Sequence, residues 1–185
     1  FWANGLRFLN KGGSIIYTFN KEGYLLEEEV NTLNRLSKLS MNSLNMEAIS
    51  AVTMIYRAAQ GLRNKMEKEV LAPYKLSWTS FSILYDLWIH DSVETKSLAE
   101  LSGVTKATVS NVTNTLERKD LCYRKSDRHD RRLTNVLITE KGKLVMEELY
   151  PHFHQQEVEI VSGLEKEEQK QLSSLLRKVI KDQNF

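Results

Sequence analysis

One cysteine, Cys122, cannot close a disulfide within the chain and cannot by itself supply a zinc site of the multi-cysteine type. Reducing surroundings fit such a chain best. Two prolines and eight glycines in 185 residues leave few points that force the backbone out of a helix, and runs rich in Leu, Glu, Lys and Asn fill the space between them. A mostly helical fold is expected. No stretch reaches the roughly 18 uninterrupted apolar residues of a membrane span, and residues 1–19 lack the apolar core and cleavage pattern of a secretory leader. Those absences predict a cytoplasmic protein with no membrane partner. Also missing are a phosphate loop, a hydrolase elbow, a dinucleotide fingerprint and a helical pair of metal-binding histidines, so no catalytic residue, cofactor or enzymatic activity is expected. His152 and His154 stand two apart on a predicted helix and diverge, His90 and His129 stand alone, and no metal site follows.

What is present is an uneven distribution of charge. The net charge is only +2, yet residues 103–143 hold ten basic side chains against five acidic ones, while the remainder carries sixteen against nineteen. A polyanionic partner for the basic segment is one reading. A solvated charged face is the other, and motif spacing has to choose between them.

Along the chain, residues 1–45 form an arm unlike the rest. Ser14-Ile15-Ile16-Tyr17-Thr18-Phe19 is rich in strand formers, and residues 20–23 could turn it back against 24–30 as a hairpin. Residues 26–39 read equally as a helix, because Leu26, Val30, Leu33, Leu36 and Leu39 step by four and three. From Asn45, a plausible cap, Ala48, Val52, Ile55, Ala59, Leu62 and Met66 alternate steps of four and three, the seam of a long helix that packs along another at a shallow angle. Its partner could lie in the same subunit or in a second copy, and Pro73 marks its end. Residues 79–90 are apolar nearly all round and should be buried. Helical periodicity returns over 140–161, with Pro151 expected to bend that helix rather than end it. After Gly163 it resumes through Leu172, Leu175, Leu176, Val179 and Ile180.

The centre reads Ser97-Leu98-Ala99-Glu100-Leu101-Ser102-Gly103-Val104-Thr105-Lys106-Ala107-Thr108-Val109-Ser110-Asn111-Val112, with the spacing of a helix-turn-helix. Ala99 is small where a second helix would cross, Gly103 supplies the left-handed turn, and Thr105 is placed to cap the second helix. Val104, Val109, Val112 and Leu116 would hold that helix to the core. This leaves Lys106, Thr108, Ser110, Asn111, Asn114 and Arg118 on outward or partly outward positions, short donors and acceptors plus cations, as a helix in the major groove of double-stranded DNA requires. An ordinary helical hairpin shares some of these features, so the next segment matters.

Residues 121–125 read as a strand and 133–139 as its partner, joined by Ser126-Asp127-Arg128-His129-Asp130-Arg131-Arg132. A two-stranded ribbon with Arg128, Arg131 and Arg132 at its tip, placed after a helix-turn-helix, is the layout of a winged helix. Arginine stems are long enough to enter a narrow minor groove. Asp127 and Asp130 suit no phosphate and read as partners that steady the arginines.

Residues 45–181 resemble the MarR family of winged-helix regulators. In that family the wing reads Asp-Pro-x-Asp-Arg-Arg and its second strand ends Leu-Thr-x-x-Gly; here stand Asp127-Arg128-His129-Asp130-Arg131-Arg132 and Ile138-Thr139-Glu140-Lys141-Gly142. The resemblance implies a mostly α fold with a small β-wing. A winged helix-turn-helix over 79–140 would be flanked by long N- and C-terminal dimerisation helices over 46–72 and 140–182, all within a domain spanning 46–185. It implies a homodimer straddling a palindromic operator, most simply as a repressor, with Asp130 steadying the wing and Arg132 in the minor groove. A small-molecule effector, aromatic or phenolic in many members, is a further implied partner. Asp120 departs from the pattern, standing where the family places glycine. The arm before Asn45 is longer than usual. Members that sense oxidants use a cysteine in the first long helix; this helix has none, and Cys122 reads as a small apolar strand residue. An architectural DNA binder without operator preference and a winged-helix protein-docking module are the rival readings.

Overall fold

The structure, a computed structural model, describes residues 20, 22, 24–39, 44–126 and 134–183. The chain divides into two compact units, residues 1–60 and 61–185.

In the first unit the Asn20 side chain accepts from the backbone N–H groups of Glu22 (3.0 Å) and Tyr24 (2.9 Å), forming the expected turn. Asn20 N also bonds to Tyr24 O at 2.8 Å, and Leu25 makes an isolated β-bridge just before the helix. Helix α1 (Glu27–Leu39) begins within the segment that a hairpin would use, because Glu27, Glu28 and Glu29 favour a helix start electrostatically and the four-and-three spacing continues behind them. The other half of the proposed hairpin, 14–19, lies outside the described residues. Helix α2 (Met46–Met66) opens on Asn45, whose Oδ1 accepts from Ala48 N at 2.9 Å.

The expectation of one helix over 46–72 needs correction. Regular α-helix stops at Met66, passes into a wide π turn over Glu67–Leu71, and tightens into a 3-10 turn over Ala72–Tyr74 that contains Pro73. Proline lacks the N–H an α-helix needs there, and its ring collides with the carbonyl four residues back. The π turn also brings the consecutive Val70 and Leu71 both into the core, which an undisturbed amphipathic helix would not favour. Glu67 accepts from Trp78 N at 2.7 Å, tying the turn to the next helix.

Helix α3 (Trp78–His90), capped by Ser77, forms the spine of the second unit through the buried Phe81, Ile83, Leu84 and Leu87. Its burial is less complete than its composition predicts, because Ile89 is exposed. Around it pack α4 (Thr95–Leu101), α5 (Lys106–Arg118) and α6 (Glu140–Ile160), which contribute Leu98, Val109, Leu116, Met146 and Leu149 to the core. Between α3 and α6 the rings of Phe81 and Phe153 stack at 4.3 Å and those of Tyr85 and Tyr150 at 5.7 Å. Pro151 sits between these packed residues and α6 runs through it unbroken. Helix α7 (Lys166–Gln183) closes the described chain with none of its residues buried.

Strands β1 (Ser92–Glu94), β2 (Cys122–Ser126) and β3 (Thr134–Ile138) form an antiparallel sheet with β3 in the centre. Residues Cys122 and Ile138 pair on one side of β3, and Val93 pairs with Val136 on the other. The third strand was not expected, since three residues are too few to show alternation.

The end of α5 is where Asp120 departs from the family's glycine. Asp120 does take the left-handed conformation (φ 60°), and Asp120 N bonds to Glu117 O (2.8 Å) while Leu121 N bonds to Leu116 O (3.0 Å). Those two bonds make a Schellman ending, whose backbone geometry suits glycine. Asp120→Gly should therefore raise stability by about 1 kcal/mol, the steric relief outweighing the entropy gained by the unfolded chain. A thermal melt checks this; a lower melting temperature than wild type would contradict it.

Candidate nucleic-acid interface

The interface is built around α5. Gly103 (φ 62°) makes the turn out of α4, and Val104 N bonds back to Ala99 O at 3.0 Å, bringing the small Ala99 close to the turn. Ser102 Oγ donates to Asp86 Oδ2 at 3.0 Å, fastening the turn to α3. Thr105 caps α5 by accepting from Thr108 N at 3.1 Å. The inward stripe is Val109, Thr113 and Leu116, all buried, and Thr113 satisfies its hydroxyl by donating to Val109 O at 2.8 Å.

Opposite that stripe, Lys106, Ser110, Asn111, Asn114 and Arg118 are exposed together on one face. Thr108 is half-buried, and its hydroxyl lies 2.9 Å from that of Thr105, so it belongs to the cap as much as to the face. Arg118 lies back along its own helix, Nε donating to Asn114 O (3.3 Å) and Nη2 to Thr115 Oγ1 (3.1 Å). Asp127, Arg128, Asp130, Arg131 and Arg132 lie outside the described residues.

The sequence reading missed Arg124. From β2 it reaches α5, donating to Asn114 Oδ1 (2.6 Å), Ser110 O (2.8 Å) and Thr113 Oγ1, and it pairs with Glu117 at 3.1 Å. The available signal was strand alternation. Residues two apart share a face, so Arg124 points the way the buried Cys122 points, towards α5.

The base of the wing is held by the segment Ile138-Thr139-Glu140-Lys141-Gly142. Thr139 Oγ1 caps α6 by accepting from Gly142 N (2.9 Å) and donates to Asp120 O (2.7 Å), while Thr139 N bonds to Leu121 O (3.1 Å). Lys141 Nζ donates to Lys119 O at 2.8 Å, and Lys119 Nζ to Lys75 O. Burial, reinforced by the charge of Lys75, holds the Lys119 ammonium below the ordinary lysine pKa.

Cys122 is buried behind α5, and burial, with a smaller contribution from Glu117, pushes its thiol up to about 12. Two outcomes follow. Native protein at pH 8 should resist iodoacetamide and react only when unfolded; rapid native alkylation would show that the thiol is reachable. Because the folded pKa lies above the unfolded value, the stability conferred by the neutral buried thiol is complete below about pH 9 and fades as pH rises towards 12. His154 pairs with Glu157 at 3.1 Å on α6. No group of three His, Cys, Asp or Glu among the described residues could hold a metal ion.

A capped helix with a polar, cationic outer face, braced by a β-ribbon and preceded by a glycine turn, defines a winged helix-turn-helix protein of the DNA-binding class. The family model named MarR family matches residues 76–134. An uncharacterised HTH-type transcriptional regulator, YwaE of Bacillus subtilis (strain 168), is 56% identical over 155 residues, covering 84% of this chain and 91% of the relative. Among solved structures, a Staphylococcus aureus MepR–DNA complex superposes with TM-score 0.65 at 27% identity, covering 70% of this chain and 95% of the other. Bordetella bronchiseptica BpsR, whose DNA binding is regulated by 6-hydroxynicotinic acid, gives 0.64 at 25% identity, covering 70% and 97%. The chain belongs to the MarR family and is a DNA-binding transcriptional regulator, a class without enzymatic activity. No helix among the described residues is long and apolar enough to cross a membrane.

Proposed function

We propose that this regulator acts as a homodimer that occupies a palindromic operator, blocks transcription from it, and lets go when a small-molecule effector changes the separation of its two reading lobes. The observation that carries the proposal is the split character of α5. Its inner stripe is committed to the core, while Lys106, Ser110, Asn111, Asn114 and Arg118 face solvent with only the small Ala107 as an apolar side chain among them. Such a face buries no apolar core of its own chain, and it suits base edges and phosphates. The wing arginines Arg128, Arg131 and Arg132, steadied by Asp127 and Asp130, would take the flanking minor groove. Residues 46–185 are the regulator domain on this reading and 1–45 an arm added to it. Dimerisation is supported by apolar residues their own chain leaves uncovered: Val52 and Ile55 on α2, and Leu172, Leu175, Val179 and Ile180 on α7. Work on DNA implies the cytoplasm. Effector control is argued by the kinship with BpsR.

Titrating duplexes tests the core of this. A sequence selected from random DNA should bind far more tightly than unselected DNA, with affinity falling steeply as salt rises. Arg132→Ala should weaken binding by about 1 to 3 kcal/mol, and Lys106→Ala should chiefly flatten the salt slope if the ammonium meets phosphate. Equal binding to all duplexes would point to an architectural protein instead, and no binding in dilute buffer to a protein-docking module.

A further inference from the structure

The guanidinium of Arg124 has more internal partners than a brace between strand and helix needs. Nη1 donates to Asn114 Oδ1 at 2.6 Å and lies 3.1 Å from Glu117 Oε2; Nη2 donates to Ser110 O at 2.8 Å and to Thr113 Oγ1. Glu117 Oε1 also accepts from the backbone N–H of Arg124 at 2.8 Å, so strand and carboxylate hold each other in register. Both Nη groups are thus fully engaged within the chain, and the charge is answered by Glu117.

Asn114 is exposed on the outward face of α5, yet its carbonyl oxygen is turned to a charged donor. The amide is planar, so fixing Oδ1 also fixes Nδ2 as the atom left for an outside partner. A freely rotating asparagine reads adenine in two bonds, accepting from N6 and donating to N7. That mode needs Oδ1 and Nδ2 turned together to one base edge, and here Oδ1 is turned to Arg124 instead. A side chain that presents its NH2 outward matches guanine best, whose N7 and O6 both accept, then thymine through O4 and adenine through N7 alone. Adenine N6 and cytosine N4 would bring donor against donor.

We propose that Arg124 is a positioning residue for sequence specificity, locking Asn114 as a donor so that α5 selects guanine over adenine at the base Asn114 meets. The proposal rests on α5 lying in the major groove, as argued above.

The test is selection of bound duplexes from a randomised library by the full chain, comparing wild type with Asn114→Ala, Asn114→Asp and Arg124→Lys, each first shown to be folded by its urea midpoint. Wild type should prefer guanine over adenine by about tenfold at one position of each half-site. Asn114→Ala should level that position alone. Asn114→Asp keeps an oxygen for Arg124 but presents a second oxygen outward, and should invert the preference towards the donors of cytosine and adenine. Arg124→Lys loses the planar fork, frees the amide, and should shift the same position towards adenine while leaving the other positions and the salt slope as they were. A guanine preference unchanged in Arg124→Lys, or a uniform loss at every position, would reduce Arg124 to a brace and overturn the proposal. Should Arg124→Lys not fold, Asn114→Asp decides alone, and retained guanine preference would overturn the proposal. If wild type enriches no sequence, the failure lies with the placement of α5 in the groove, recognisably different from a selected site that ignores Asn114.

Discussion

Gly142→Ala is expected to destabilise the protein by about 3 kcal/mol, although alanine is the better helix former. A Cβ on Gly142 would stand 2.2 Å from Leu121 O and 2.8 Å from Ile138 Cγ1. Neither neighbour can move freely. Leu121 O accepts from Thr139 N, Leu121 N closes the ending of α5, and Ile138 is fixed in the sheet opposite Cys122. Relief would have to come from pushing α6 away from the base of the wing, which breaks the Thr139 cap. Urea denaturation reads the effect as a lower midpoint at unchanged slope. A variant as stable as wild type would mean that the contact between α6 and the wing base is slack. The close approach gives the Leu-Thr-x-x-Gly pattern its physical content, the threonine capping and the glycine making room.

The second large effect concerns assembly. Leu175→Glu is expected to leave the fold of the second unit intact, because no residue of α7 is buried within its own chain, and yet, on the proposed reading, to turn the dimer into monomers. On the proposed reading Leu175, 57% exposed in the isolated chain, is covered by a second copy along with Leu172, Val179 and Ile180. A carboxylate at that site must lose its water or force the copies apart, and two-fold symmetry imposes the cost twice. With the lobes unlinked, the second half-site is no longer held at high effective concentration, and operator affinity should fall by about a hundredfold or more. Sedimentation and duplex titration measure the two consequences separately. A variant that stays dimeric with wild-type affinity would remove α7 from the joint.

Much of the reading helix is legible in the sequence. The cap at Thr105, the turn at Gly103 and the inward residues Val109 and Leu116 follow from local chemistry, a bond three residues long and a repeat of 3.6. The same local argument accounts for α1, where three glutamates open the helix and a four-and-three repeat carries it from Glu27 to Leu39. Strands β2 and β3 were visible through their β-branched residues, whereas β1 was too short to leave a pattern. The π turn after Met66 could not be seen from periodicity, since it arises where Pro73 and the burial of both Val70 and Leu71 make conflicting demands on one helix. The wing arginines belong to the sequence argument alone.

By itself, then, the order of residues determined what is helical, what is turned, and which side chains of α5 look outward, since each depends on neighbours within one or two turns. Only the tertiary structure decided which atoms of that face are already spoken for. Arg124 lies ten residues from Asn114 in the chain and touches it because β3 aligns β2 against α5, a register that no local preference encodes.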